Sequence, residues 1–196
     1  MKKKVTILIW SLLCVVILSV SSFVYTQLLM NKSVSLDAIP DFSGEPYFVL
    51  NNNFPNFSNR EICTESYEYY SNLDMYNRCG YAVACIGRDI MPKEDRGGIG
   101  QIKPSGWQTV KYSFVDGKYL YNRCHLIGYQ LTGDNANARN LITGTRNLNT
   151  EGMLPFENLV ADYVKETGNH VMYRVTPIFK GTEMVARGVQ MEGWSV

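Results

Sequence analysis

YLYNRCHLIGYQ, Tyr119 to Gln130, is a strand-like run that hands one of the chain's two histidines, His125, to a glycine-containing loop. Upstream lie TVKYSFV (109–115), Asp116-Gly117 and KYLYNRC (118–124). Asp-Gly takes the positive φ angles of a type I′ turn, so this stretch predicts a tight hairpin with His125 at its far end. Catalytic groups often sit where a rigid element releases its chain into a loop. Downstream, LIGYQLTGDNANAR crosses through Gly128 and Gly133 to a second short strand, NLITGT (140–145). Met153, Phe156, Val160, Tyr163 and Val164 then fall at helical spacing, with Pro155 in the first turn and Gly168 as the stop. Strand, loop, strand and helix in this order can gather an imidazole, an amide and a carboxylate around one cavity.

Hydrolysis of a phosphodiester needs a base for water, a cation for the phosphoryl oxygens and a stabiliser for the leaving oxygen. A neutral imidazole suits the first task. Mg²⁺ takes oxygen ligands and keeps most of its waters, so a single amide oxygen can seat it. Asn149 offers that oxygen, and Glu157 a carboxylate eight residues on. On a regular helix the two are about 12 Å apart in rise and rotated by about 80°, so Glu157 is expected to act through metal-coordinated water. Local sequence also permits plainer readings. His125 can be a hydrogen-bonded structural residue, Asn149 a helix cap, and Arg96, between Asp95 and Gly97 in a Gly- and Pro-rich loop, a solvated charge.

Working outward, Lys2, Lys3 and Lys4 precede an uncharged run that reaches to Lys32. About 20 apolar residues span a bilayer, and flanking lysines stay on the cytoplasmic side. Residues 1–30 are therefore expected to be a transmembrane anchor or a cleaved signal peptide, with small residues at Ser19 to Ser21 near a cleavage point. Residues 31–45, with Pro40 and Gly44, read as a linker, and residues 46–196 as one domain. Without the three lysines, sixteen Lys and Arg face eighteen Asp and Glu. That balance argues against holding nucleic acid by bulk charge, so any phosphate contact must be local. Cys63, Cys79, Cys85 and Cys124 permit two disulfides in an oxidising compartment, with three possible pairings. No closely spaced cysteine pair signals structural zinc. PYFVLNNN (46–53) reads as a first strand, NREICTESYEYYSNLD (59–74) as weakly helical and YAVACIG (81–87) as a buried strand. HVMYRVTPIF and EMVARGVQMEGWSV read as a hairpin closed at KGT.

The stretch YNRCHLIGYQLTGDNANARNLITGTRNLNTEGMLPFENLVADYVKETGNHVMYRVTPIF resembles the DNA/RNA non-specific endonucleases, the group of streptococcal secreted DNases and the membrane-bound DNA-entry nuclease; IGQIKPSGWQTVKY is a second block. The resemblance runs from about Ile39 to the end. It implies an α+β fold of the ββα-metal (His-Me finger) class, a central antiparallel sheet flanked by helices. It further implies a Mg²⁺-dependent endonuclease, with Mn²⁺ as a substitute, that cuts DNA and RNA outside the cytoplasm and leaves 5′-phosphate ends. The family's Asp-Arg-Gly-His motif falls on Asn122, Arg123, Cys124 and His125, which makes His125 the general base. Asn149 matches the metal-binding asparagine, Glu157 the glutamate acting through metal water, and Asn140 a residue that positions the site. Arg96 and Arg123 match groups that clamp phosphate. Two positions depart from the motif. Asn122 replaces a carboxylate that could orient its neighbours, and Cys124 puts a thiol next to the base and raises a Cys79–Cys124 disulfide. The resemblance also implies further strand sequence past Val196, so the domain is expected to be C-terminally short. A non-cutting surface protein that captures nucleic acid on the same scaffold is the alternative.

Overall fold

The computed structural model describes residues 34–41 and 43–196. The anchor or signal helix expected over residues 1–30 lies outside them. Among the described residues no helix is long and apolar enough to cross a membrane. The described residues form six strands in chain order: β1 (Tyr67–Tyr70), β2 (Ala82–Ile86), β3 (Tyr121–His125), β4 (Leu141–Thr145), β5 (Val171–Ile178) and β6 (Gly188–Ser195). They form two antiparallel sheets, one ordered β1-β2-β5-β6 and the other the pair β3-β4. A short helix, α1 (Tyr129–Thr132), separates β3 from β4, and a long one, α2 (Leu154–Thr167), joins β4 to β5. The architecture is α+β, and the strand, loop, strand and helix expected around His125 are all present.

Burial follows side-chain period. On β2, Ala82, Ala84 and Ile86 are fully buried, as two-residue alternation requires of one face. On α2 the buried residues are Glu157, Ala161 and Val164, which fall on one helical stripe. The apolar ones among them meet Cys124, Leu126, Ile127, Leu131, Ile142, Tyr173 and Val175 in one core cluster shared by both sheets. The stop of α2 is as expected: Gly168 takes φ 74° and returns its N–H to the Val164 carbonyl.

Several local expectations fail. Residues 46–53 form no strand; Asn51–Asn53 instead make a 3₁₀ turn with positive φ at all three asparagines, and asparagine is among the few residues that tolerate this conformation. The segment 59–74 contains β1, not a helix, because its tyrosines pair with β2 from Tyr67↔Cys85 to Tyr70↔Ala82. The hairpin before His125 is reduced to one bridge, Lys111↔Tyr119. Its positive φ angles fall on Gly117 and Lys118, one residue later than a type I′ turn at Asp116-Gly117 requires. β5 and β6 pair as predicted, but nine residues (179–187) join them in place of a tight turn.

No disulfide forms among the described cysteines. The Cys79 thiol donates to the carbonyls of Ala138 and Leu141, at the start of β4. Cys124 packs under Gly144, near the other end of that strand. Three residues of strand separate the two by about 10 Å, beyond the reach of a disulfide. Strand alternation also corrects the reading of the motif: Asn122 and Cys124 point to the face of β3 opposite His125. The Cys124 thiol is pushed up to about 12 by burial and by the charge of Glu157, so it stays protonated.

Ile142→Ala removes a fully buried side chain from the shared core and is expected to cost about 2–5 kcal/mol in urea denaturation. Phe114→Ala, in the exposed loop before β3, should stay within about 0.5 kcal/mol of the parent.

Candidate active site

His125 ends β3 with its ring almost buried. Its Nε2 lies 2.7 Å from the Asn135 carbonyl. A carbonyl only accepts, so Nε2 carries the proton and Nδ1 keeps its lone pair. The Arg96 guanidinium stands 3.2 Å from Nδ1 and can only donate to it. Burial lowers the pKa of His125 below its ordinary value, and Arg96 adds to this, while the Asn135 carbonyl and Asp134 oppose it. The imidazole is thus held neutral, in one tautomer, with its basic nitrogen facing the loop that carries Arg96.

The loop after His125 owes its shape to Asn140. This fully buried residue accepts the Ile127 N–H on Oδ1 (2.9 Å) and donates from Nδ2 to the Ile127 carbonyl (3.0 Å) and to Asp134 (2.8 Å). Its backbone carbonyl also accepts the Leu126 N–H. Asn140 therefore sets the path of residues 126–134 and, through them, the position of the Asn135 carbonyl under the imidazole.

Glu157 sits on the core-facing stripe of α2, one turn before Ala161. Burial raises its pKa to about 7, with Arg96 and the Gln130 amide pulling the other way. A Cβ placed on Gly128 would stand 2.4 Å from the Glu157 carboxylate. Gly128, three residues past His125, is what lets helix and loop close on each other. Arg96 influences both His125 and Glu157, so the structure brings these three sequence-predicted residues into one electrostatic neighbourhood.

Asn149 lies in a six-residue π turn, Leu148–Met153, that precedes α2. The regular-helix spacing between Asn149 and Glu157 therefore does not hold; a π turn widens the helix, and such turns are frequent at functional sites. The Asn149 side chain is half-buried and makes no hydrogen bond among the described residues. Its free amide oxygen and the Glu157 carboxylate, buried without an ion-pair partner, are hard oxygen donors that suit a divalent cation such as Mg²⁺. No group of three or more His, Cys, Asp or Glu able to hold a metal occurs among the described residues.

Arg123 is placed differently from the phosphate clamp its motif position implies. Its guanidinium lies flat on Trp107, 3.7 Å from the ring centroid, and donates to the carbonyls of Gly100 (2.9 Å) and Ile102 (2.5 Å). It holds the loop that follows Arg96. Sequence reading missed the Asn135 carbonyl, Gly128 and Trp107. A main-chain acceptor leaves no trace in residue type, and the role of Gly128 depends on a helix nearly thirty residues away. Trp107 alone carried a signal, as a large aromatic in an otherwise small and polar loop.

The family model described as DNA/RNA non-specific endonuclease matches residues 55–196. No curated protein matches the chain by sequence. Among solved structures, NucA from Streptococcus agalactiae with magnesium ion bound is 26% identical, with a TM-score of 0.65, over 74% of this chain and 71% of that one. The same protein with no metal bound gives a TM-score of 0.63. The Sda1 nuclease with bound zinc ion is 29% identical, with a TM-score of 0.59, over 66% of this chain and 68% of that one. With the buried imidazole, its neighbouring carboxylate and arginine, and a match across most of its length, the chain belongs to the DNA/RNA non-specific endonuclease family.

Proposed function

We propose that this endonuclease hydrolyses the phosphodiester bonds of both DNA and RNA with Mg²⁺, using His125 as general base and leaving 5′-phosphate ends. The observation that carries the reading is the Nε2–H bond from His125 to the Asn135 carbonyl, which leaves Nδ1 as the free base. Nδ1 takes a proton from water as the water oxygen attacks phosphorus, and the bond to the 3′ oxygen breaks, that oxygen taking a proton from solvent to leave as a hydroxyl. The Asn135 carbonyl steadies the imidazolium that results. Arg96, held at Nδ1 without substrate, turns to the phosphate when a strand enters and uncovers the nitrogen. Asn149 would hold the cation directly and Glu157 through coordinated water; Mn²⁺ offers the same oxygen preference. When bound, the ion neutralises charge on the phosphoryl oxygens and the departing oxygen. Asn140 positions the loop under the imidazole, and Arg123 positions the loop that carries Arg96. Backbone chemistry contains no base information, which fits cleavage without sequence preference. The lysine-flanked apolar run supports a domain outside the cytoplasm, tethered by residues 1–30 or released after signal cleavage.

His125→Ala is expected to slow plasmid cleavage in Mg²⁺ by about 10²–10⁴-fold, the usual contribution of a general base. Cleavage at the parental rate would remove His125 from the mechanism. For Asn149→Ala the expected change is a higher Mg²⁺ concentration at half-maximal rate, read by titrating the metal at fixed substrate. In the metal-free protein, NMR titration of the two histidines should find His125 still neutral at its ordinary pKa and half-protonated only below it. Because the folded pKa is the lower one, the stability contributed by this neutral ring is complete above pH 6.5 and is lost as pH falls toward the folded value.

A further inference from the structure

Residues 109–120, between Trp107 and β3, present a cluster of exposed aromatic side chains that the cleavage mechanism does not use. Tyr112 and Phe114 stack on each other with centroids 5.1 Å apart and planes 23° apart, and they are 43% and 82% exposed. Tyr119, also exposed, lies under the Lys111 ammonium at 4.7 Å. Lys118 is exposed as well, while the one acid of the loop tip, Asp116, is paired with Arg146 at 2.8 Å. One loop thus carries three exposed aromatic rings and two exposed lysines, Lys111 lying on Tyr119, with the nearby carboxylate ion-paired. The backbone beneath is tied down: Tyr112 donates to the Lys118 carbonyl, Lys118 to Val115 and Leu120 to Val110. Single exposed apolar residues are ordinary, but an aromatic stack on a loop that also carries two exposed lysines suits a partner with flat apolar faces and negative charge.

We infer that this loop is a stacking platform for unpaired bases of the substrate strand, several nucleotides from the bond that is cut. The inference rests on the nuclease reading above. The platform continues directly into β3, and from Tyr121 to His125 that strand spans about 14 Å. A strand threaded past His125 can therefore lay a base on Tyr112 and Phe114 while Lys111 and Lys118 meet its phosphates. Every base has a π face, so stacking adds affinity without reading sequence. It does favour single strands, because bases within a duplex already stack on each other.

The test uses the full-length chain in EDTA, so that binding is read without cleavage. For Tyr112→Ala/Phe114→Ala, the Kd for a short fluorescent oligothymidylate should rise about tenfold or more by anisotropy. The Kd for a blunt duplex of equal length should change much less. Phe114→Trp should retain single-strand affinity, with its fluorescence quenched as the oligonucleotide binds. Equal losses on single strand and duplex, or no loss on either, would overturn the platform. So would a double variant that binds oligothymidylate normally but has lost binding to vesicles of anionic lipid, which would make the loop a membrane contact. Parental cleavage of plasmid in Mg²⁺ is followed alongside. If the parent fails to cut while the single-strand effect holds, the nuclease reading falls and the platform stands; if it cuts and the effect is absent, the reverse applies.

Discussion

The hydrogen bond from His125 Nε2 to the Asn135 carbonyl is the constraint around which the rest of the site is arranged. An imidazole has two nitrogens, and only one can be a base at a time. A main-chain acceptor fixes which one, without adding a titratable partner that could itself lose or gain charge. The acceptor must then be kept in place, and a ten-residue loop would not do so by itself. Asn140 does it from the residue before β4, its side chain bonding both backbone groups of Ile127. Orientation of the base is thus inherited from a buried asparagine that does not touch it.

A second constraint is the burial of Glu157. Placing a carboxylate on the apolar stripe of α2 costs folding energy, because the charged form loses its water and gains the Gln130 amide but no ion-pair partner. Proteins retain such groups where a ligand compensates for them, and an incoming cation would favour the ionised form that the fold alone disfavours. Arg96 forms no ion pair with the carboxylate and meets the imidazole from an exposed position.

Much of this was legible in the chain. The apolar run of β2, the period of α2 with Pro155 and Gly168 at its ends, and the strand, loop, strand and helix order around His125 follow from local patterns that the core reinforces. What local pattern could not supply were features set by distant partners. The tyrosines of 67–70 form a strand because β2 offers a free edge. The π turn at Leu148–Met153 keeps helical composition while changing the relation of Asn149 to Glu157. Motif position suggested that Arg123 faces phosphate, whereas the stack on Trp107 and two carbonyls give its guanidinium another use. The Cys79–Cys124 cross-link raised by the motif is one that strand geometry then prevents.

Those uncrossed thiols have a bearing on how the protein comes to maturity. Each buried sulfur is accommodated by neighbouring carbonyls or by packing, and not by a covalent tie. Around Cys79 and Cys124, cohesion is therefore supplied by hydrogen bonds and packing alone. The β3-β4 pair can thus close over these two sulfurs with no oxidising step between them.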